Sequence, residues 1–475
     1  MNRKLEKMIT TTKQDQAPFT ATLWVIAAVQ FLTPFMFSAI GVALPTIGEE
    51  FSSGAVELGL IEMVYILGVA LLLLPVGRYA DIYGRKKIFF SGTIVMTIAT
   101  LALALTPTVN LLIIFRFAQG IGAAMITSTS FAILNSVCPP TERGKAMGIV
   151  VSCVYLGISA GPMLAGLMID YLGWRWIFFS AVPVELAILI FAVTRLKGEW
   201  ADSAGEPFDW TGSALYMIAL FCIIIGVLEA QQLPLAKWLG CAGLLLMISF
   251  FYYENSVTHP ILPLKKIMRN KVFALSNLAT WLNYAASFGI VFFFSIYLQV
   301  IRGISPKATG FILVIQPLLQ AACAPVAGRM ADKYSPSPIA TFGMAMCTLG
   351  LTLCIFISAD STYFHIVSVL IIMGIGFGFF STSNSTAIMA SIEKRDYGMA
   401  SSMIATMRTC GMLTAMTLIT TLLSFYLGDL PVSHETAVGF ITTMHSAMII
   451  FTVLSIAGIF CSLARTTQQP TLYKR

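Results

Sequence analysis

Charged residues are scarce in this chain. Asp, Glu, Lys and Arg make up 11% of its 475 residues, whereas about 25% is usual in a soluble domain. Hydrophobic residues make up 57%, and they form repeated runs close to the roughly 20 residues that a helix needs to cross a bilayer. These runs are continuous and lack the two-residue alternation of a membrane-spanning strand, which excludes a β-barrel. The composition therefore predicts an all-α polytopic membrane protein.

The sequence also lacks the usual marks of secretion, redox chemistry and nucleotide hydrolysis. Residues 1–22 are polar and basic, and the apolar run after them already has spanning length, so no cleavable signal is expected. The nine cysteines form no CxxC pair, which argues against a disulfide framework or a zinc site. There is no Walker A loop, and the four histidines are scattered over different segments. We expect no cofactor, and a membrane-embedded enzyme is a remote alternative.

Fourteen segments are predicted to span the membrane: 23–45, 57–76, 88–105, 109–134, 144–168, 174–194, 211–230, 236–253, 272–297, 306–328, 338–357, 363–390, 397–423 and 439–463. An even number places both termini on one side. Of the 29 basic residues, 23 lie on that side, four lie on the opposite side and two lie within spans. Because Lys and Arg concentrate on the cytoplasmic side, we predict a plasma (inner) membrane protein with both termini in the cytoplasm. The net charge of +7 then follows from topology and indicates no nucleic-acid partner.

A short motif recurs in the two halves of the chain. "LPVGRYAD" (74–81) and "APVAGRMAD" (324–332) each follow the second helix of a six-helix set, if helices 7 and 8 are set aside. Tandem six-helix halves with a substrate site between them are a transporter architecture. The predicted organisation is a cytoplasmic segment (1–22), a first half (23–195), a linker with two extra helices (196–271), a second half (272–464) and a cytoplasmic tail (465–475).

Four stretches carry a resemblance to a known family. They are "GRYADIYGRKK" (77–87), "FRFAQGIGAA" (115–124), "GISAGPMLAG" (157–166), and "WRWIFFSAVP" (174–183) taken with "FDWTGSALY" (208–216). In order and at these helices, they resemble the motifs of the major facilitator superfamily, specifically its fourteen-helix drug:proton antiporter branch. The resemblance covers nearly the whole chain and implies the major facilitator fold, with two six-helix halves and two extra helices.

The turn between helices 2 and 3 holds the first of these motifs. Gly77 and Gly84 are expected to permit its tight backbone, and Arg85 can pair with Asp81. The resemblance implies that this cluster latches the two halves together on the cytoplasmic side, although an ordinary positive-inside anchor would look similar. The copy at Asp332 lacks the basic run, which weakens its case as a second latch.

Helix 5 carries the motif associated with antiporters. Gly157 and Gly161 lie one helical turn apart, a spacing that lets helix backbones approach closely. Pro162 removes a backbone hydrogen bond and is expected to bend the helix. A plain helix contact would explain the glycines alone, but the Gly-Pro pair favours the antiporter interpretation.

Ionisable residues inside the spans are the strongest site candidates, because each costs roughly 2.5–3.5 kcal/mol to insert at a helix centre. Arg116 in helix 4 is followed on its face by small residues, so this face is expected to line a cavity. Arg408 lies near the middle of helix 13. Glu185 in helix 6 and Glu62 in helix 2 are candidate proton carriers, and the alternative is a static Glu–Arg pair that only neutralises charge.

The sequence departs from the branch in helix 1. The aspartate usual in its "ALP" stretch is replaced by Met36 in "FMFSAIGVALP" (35–45). We infer that the acid function has moved to Glu62 or Glu185, or that coupling differs altogether. Further candidates for lining the substrate cavity are Met36, Asn384, and the helix 9 aromatics Trp281 and Tyr284, which can equally serve as packing residues.

The resemblance implies a secondary active transporter, driven by the proton motive force, that exports small amphipathic compounds, cationic or zwitterionic, by alternating access. Its partners would be the small-molecule substrate, protons and the lipid bilayer, and it would act as a monomer. The main alternative is a dedicated exporter or importer of one metabolite with different coupling.

Overall fold

The computed structural model describes residues 2–139, 142–196, 198–230, 234–262, 267, 269–393 and 397–466. This part of the chain contains 14 helices long and apolar enough to cross a membrane, and no strand. The predicted fold class and number of spans are therefore confirmed. Residues 467–475 of the predicted tail lie outside the described residues.

The helices are α1 (Asn2–Phe51), α2 (Ala55–Tyr83), α3 (Arg85–Ala104), α4 (Val109–Val137), α5 (Arg143–Leu172), α6 (Arg175–Arg195), α7 (Trp210–Leu228), α8 (Pro234–Glu254), α9 (Lys271–Ile301), α10 (Pro306–Lys333), α11 (Pro336–Cys354), α12 (Tyr363–Ala390), α13 (Tyr397–Tyr426) and α14 (Ala437–Thr466). Short polar side chains cap several of them. Thr108 caps α4, Asp209 caps α7 and Asn270 caps α9, each accepting a bond from a backbone N–H three residues later.

Helix α2 extends further than predicted, to Tyr83, and a single residue separates it from α3. That residue is Gly84, whose φ of 121° lies in a region that favours glycine. The expectation of a glycine in the turn is met at Gly84. Gly77, which was placed in the same turn, instead lies inside α2, because the helix continues for almost two more turns.

Close glycine contacts recur in the two halves. In the first half, a Cβ on Gly122 of α4 would lie 2.9 Å from the carbonyl oxygen of Gly92 in α3. In the second half, a Cβ on Gly376 of α12 would lie 2.8 Å from the carbonyl oxygen of Gly343 in α11. Both pairs let the helix backbones touch without a side chain between them. In each half, this glycine contact joins the two helices that follow the helix carrying the repeated motif.

The two extra helices, α7 and α8, pack against each other and lie beside the halves. A Cβ on Gly226 of α7 would lie 2.3 Å from the Cα atom of Gly240 in α8. The Tyr216 hydroxyl of α7 donates a hydrogen bond of 2.9 Å to the carbonyl oxygen of Ala70 in α2. Helix α7 also contacts α13, so the pair borders both halves.

Contacts join the two halves near the end of the molecule opposite the termini. The backbone N–H of Ala55 donates to the carbonyl oxygen of Leu430, and Gln299 donates to the carbonyl oxygen of Val42 over 3.0 Å. Helices α5 and α10 also meet there, since a Cβ on Gly310 would lie 2.2 Å from the carbonyl oxygen of Pro162. Toward the termini, a Cβ on Gly148 of α5 would meet no atom within 4 Å.

Candidate functional site

A chain of hydrogen bonds inside the first half links one of the candidate acids, Glu185, to Arg116. The Arg116 Nη1 group of α4 donates to Gln119 Oε1 over 2.6 Å, and Gln119 Nε2 donates to the Thr100 hydroxyl of α3 over 3.0 Å. The Thr100 hydroxyl donates to Glu185 Oε1 of α6 over 3.0 Å. We call these four residues the polar network.

The opposite end of the polar network lies against α2. The Arg116 Nε group donates to the carbonyl oxygen of Ile61 over 3.2 Å, and its guanidinium carbon lies 4.5 Å from the centre of the Tyr65 ring. An aromatic face stabilises a cation at such a distance. Glu62, which follows Ile61 in α2, lies close enough to Arg116 for electrostatic interaction. This electrostatic interaction and the hydrogen bonds of the polar network together lead from Glu62 to Glu185 across four helices: α2, α4, α3 and α6.

Neither acid is held in a salt bridge within the described residues. Glu62 is 5% exposed, Glu185 is 3% exposed and Arg116 is fully buried. One oxygen of each acid (Oε2 in both) and the Arg116 Nη2 group have no hydrogen-bond partner in that part of the chain. A buried polar atom left unpaired costs about 1–3 kcal/mol. Within the described residues, the static Glu–Arg pair is therefore not formed.

A small cavity lies beside Glu185. Its volume is about 10 Å³, and its walls include Thr33 of α1 and Thr93 and Met96 of α3. This volume is at the lower limit for one water molecule. Most of the walls are apolar, and the cavity extends from the acid in α6 to α1, where the sequence lacks its expected aspartate.

The face of α4 that carries Arg116 differs from expectation. It was expected to line an open cavity, but a Cβ on Gly120 would lie 2.2 Å from the carbonyl oxygen of Tyr65 in α2. The small residues there serve close helix packing, and Arg116 is enclosed within the first half. Met36 is likewise buried, at 1% exposure.

The predicted residues of the second half fall into two groups. Arg408, Trp281 and Tyr284 are half-buried, and the Trp281 Nε1 group donates to the Thr414 hydroxyl over 3.3 Å, which ties α9 to α13. Asn384 is buried inside the half, where its amide donates to the Thr280 hydroxyl over 2.8 Å. Asn384 therefore lies apart from the other three.

Asn384 contacts a buried cation that sequence reasoning missed. Arg465 was counted with the basic residues near the termini, yet it is fully buried and donates to Asn384 Oδ1. It also donates to the hydroxyls of Ser276 and Ser462, each over 2.8 Å. Its position at the end of an apolar run gave no sign of burial, because basic residues usually occupy such positions as membrane anchors.

The turn between α2 and α3 pairs as predicted, and it also binds the linker that follows α6. Arg85 donates to Asp81 Oδ1 over 2.7 Å and forms a salt bridge of 2.8 Å with Asp202 of the linker. Arg78 forms a salt bridge with Glu206 of the linker, and the Arg78 guanidinium lowers the pKa of that carboxyl. Residues 199–206, which we call the linker clasp, thus cover the turn.

Asp332, in the second copy of the motif, has no such partner. It is exposed and forms no ion pair within the described part of the chain. The sequence, which lacks the basic run after Asp332, gave this copy the weaker case as a latch, and the lack of an ion pair in the described residues agrees with that expectation.

The glycines of the helix 5 motif pack directly on α1. A Cβ on Gly157 would lie 2.2 Å from the carbonyl oxygen of Phe31, and one on Gly161 would lie 1.9 Å from the Ser38 hydroxyl oxygen. Pro162 lies inside α5, and its carbonyl oxygen faces Gly310 of α10. The motif therefore joins α5 to α1 through its glycines and to the other half through the adjacent Pro162.

The two connecting residues of the polar network were not identified from sequence. Gln119 lies three residues after Arg116 and so shares its helix face, which is a usable signal. Thr100 had none, because most threonines in spanning helices bond to their own backbone, as Thr97 does.

The arrangement of helices and buried charges can be compared with known proteins. The model of the Major Facilitator Superfamily matches residues 26–275 and again residues 276–474. The chain belongs to the major facilitator superfamily. It is accordingly a transporter of small molecules and not an enzyme.

Relatives within the superfamily carry names of two kinds. The riboflavin transporter RibZ of Clostridioides difficile is 25% identical over 389 residues, which cover 81% of this chain and 85% of RibZ. The multidrug resistance protein Stp of Mycobacterium tuberculosis is 27% identical over 380 residues, which cover 78% of this chain and 70% of Stp.

Among solved structures, a bacterial homologue of the human lysosomal transporter Spinster, in an inward-facing and unoccupied conformation, has a TM-score of 0.68. The match covers 95% of this chain and 97% of that chain at 15% identity. At this identity, the likeness bears on the fold alone.

Proposed function

We propose that this protein exports small amphipathic compounds in exchange for protons by alternating access. The observation that carries the proposal is the polar network, with Glu185 at one end and Glu62 near the other. A carboxyl group away from water holds a proton more readily than one at the surface, which is the property that a proton carrier needs. Within the described residues neither acid is in a salt bridge, so proton binding breaks no ion pair while it raises the net charge of the first half by one.

The conformation, which is closed at the end opposite the termini, is the one in which an exporter binds its substrate. If the termini are cytoplasmic, as the distribution of basic residues predicts, the contacts between Ala55 and Leu430 and between α5 and α10 close the outer side. The space between the halves then faces the cytoplasm, from which an exporter takes its substrate. Proton entry from outside would require the opposite state, in which these contacts are broken.

The names of the two relatives point to two different substrate ranges. The name of Stp favours a multidrug exporter. RibZ favours the second candidate function, a transporter of a single metabolite, and riboflavin is the compound to test first. Both functions use the same cavity between the halves, so they differ in substrate selectivity and not in architecture.

The test is proton movement in proteoliposomes that contain the purified protein and a pH-sensitive dye. We expect addition of an amphipathic substrate dye to release protons, and we expect Glu185→Gln or Glu62→Gln to abolish this release. Glu229→Gln is the matched control, because Glu229 lies at the end of α7, outside both halves, and the exchange should persist.

Two results would contradict the proposal. If the wild-type protein moves dyes but no protons, another ion couples transport. If it moves riboflavin and none of the dyes, the single-metabolite function replaces the multidrug one.

A further inference from the structure

Arg408 is a cation without a counter-charge in the second half. Within the described residues, its guanidinium forms no hydrogen bond and no salt bridge, although it lies half-buried in the middle part of α13. The described spans of this half contain no acid except Asp332, at the end of α10. Arg465, a fully buried cation of this half, instead donates hydrogen bonds to Asn384, Ser276 and Ser462. A charge at such a depth is costly unless it meets water or an anion.

The surroundings of Arg408 can bind more than a simple ion. Tyr155 of α5, in the first half, lies within electrostatic range of Arg408, and the hydroxyl-bearing side chains of Ser381 and Thr382 in α12 lie beside it. Tyr284 of α9 also lies near Tyr155. Hydroxyl groups and a guanidinium are the donors that bind a carboxylate or a phenolate. These donors come from both halves, so one anionic group can contact both at once.

Aromatic rings adjoin these donors. Tyr284 lies edge-on to Phe377 of α12, with ring centres 4.9 Å apart. Phe288 lies in the same helix as Tyr284, α9. The ring of Phe37 in α1 stacks on the Phe288 ring with ring centres 5.5 Å apart, so rings from both halves meet there. Such faces favour a flat aromatic body beside the anionic group.

We propose that the substrate carries an anionic group, a carboxylate or phenolate on an aromatic frame, that binds Arg408 and Tyr155. This inference rests on the proposed transport function and specifies its substrate class. Of the two charge types expected from sequence, a zwitterion fits the site and a purely cationic compound does not. Substrate binding would then also change the electrostatics of the second half, since the anionic group of the substrate compensates the charge on Arg408.

The test is equilibrium binding to the purified protein in lipid nanodiscs, without any pH gradient. Fluorescein and rhodamine 123 share a xanthene frame but carry opposite charges, and anisotropy reports the binding of each. We expect fluorescein to bind at least tenfold more tightly than rhodamine 123. Arg408→Gln should weaken fluorescein binding by about 10- to 100-fold, the range for a lost hydrogen-bonded charge.

Further variants separate loss of the site from loss of folding. Arg408→Lys should keep part of the affinity for fluorescein, and Tyr155→Phe, which removes one hydroxyl, should lower it by about three- to tenfold. Lys271→Gln removes an exposed charge at the start of α9 and should change nothing. Equal or tighter binding of rhodamine 123, no fluorescein binding, or unchanged affinity in Arg408→Gln would each overturn the inference. Because no proton gradient is used, these outcomes are independent of the proton-exchange assay.

Discussion

At the scale of single residues, Gly157 shows how a missing side chain holds two helices together. A Cβ at this position would lie 2.2 Å from a backbone carbonyl oxygen of α1, an atom that cannot rotate away. We expect Gly157→Ala to force α1 and α5 apart and to cost about 1–3 kcal/mol, as overpacking does. The midpoint of thermal unfolding, followed by tryptophan fluorescence, should fall.

The control for this prediction lies on the same helix. Gly148 has no atom within 4 Å of the added Cβ, so Gly148→Ala should raise helix stability by about 0.5–1 kcal/mol through the unfolded chain. Equal melting temperatures for the two variants would show that the close contact between α5 and α1 at Gly157 does not contribute to stability.

Single residues also mark how far the sequence could predict the site. Glu62, Arg116 and Glu185 were recognisable because a charge in an apolar span is conspicuous. The hydrogen bonds that link Arg116 to Glu185 were not predictable, since they pass through Gln119 and Thr100 and depend on how α3, α4 and α6 pack. Arg465 was misplaced for the same reason, because its burial depends on α9 and α12.

At the scale of elements, the linker clasp docks on the turn between α2 and α3, and salt bridges stabilise this docking. Arg78 lowers the pKa of Glu206. A carboxyl with a lowered pKa stabilises the docked form above the ordinary glutamate pKa of about 4.3, and that stability is lost as the pH falls through the lowered value. His259 Nδ1 also lies 3.0 Å from Glu206 Oε2, so two basic side chains face this carboxylate.

We expect Glu206→Gln to loosen the clasp at neutral pH. Two of its backbone bonds report docking, from Ser203 N–H to the Asp81 oxygen and from Arg85 N–H to the Trp200 oxygen, both 2.9 Å. Hydrogen exchange of these amides should speed up in the variant. In the wild type, their protection should fall toward that of the variant as the pH is lowered below about 4.

The control for the clasp is Glu142→Gln. Glu142 precedes α5 on the side of the termini and forms no ion pair in the described part of the chain, so clasp exchange should be unaffected. Slow exchange in Glu206→Gln at neutral pH would show that the backbone bonds suffice without the carboxylate.

At the scale of the whole molecule, the glycine contact between α5 and α10 decides whether the end opposite the termini can close. A side chain at Gly310 would meet the Pro162 carbonyl oxygen at 2.2 Å. We therefore expect Gly310→Val to shift the population toward the state that is open at this end. Spin labels at positions 49 and 435 should move apart, and labels at positions 87 and 333 should approach, in a background without the nine cysteines.

Gly439→Ala is the control, because its Cβ would lie 3.6 Å from the nearest atom, an ordinary contact. Unchanged label distances in Gly310→Val would mean that α5 and α10 do not limit closure.

The overall fold was more accessible to sequence reasoning than the site. The length and apolar character of the spans predict fourteen helices regardless of how they pack. The extent of α2 was underestimated, because Gly77 and the charged run after it look like the end of a helix, whereas the linker clasp pairs those charges and lets the helix continue. The packing of α7 against α2 and α13, and of α8 against α7, could not be predicted from hydropathy.

The direction of the polar network has a stereochemical consequence for Glu185. A guanidinium cannot accept a hydrogen bond, so Arg116 fixes the orientation of the Gln119 amide, which must turn its NH₂ group toward Thr100. The hydroxyl hydrogen of Thr100 is then left to Oε1 of Glu185. An arriving proton must therefore occupy Oε2, the oxygen without a partner in the described residues. The two oxygens of a carboxyl group are equivalent in solution. In Glu185 they become distinct because of Arg116, which is connected to it by three successive hydrogen bonds.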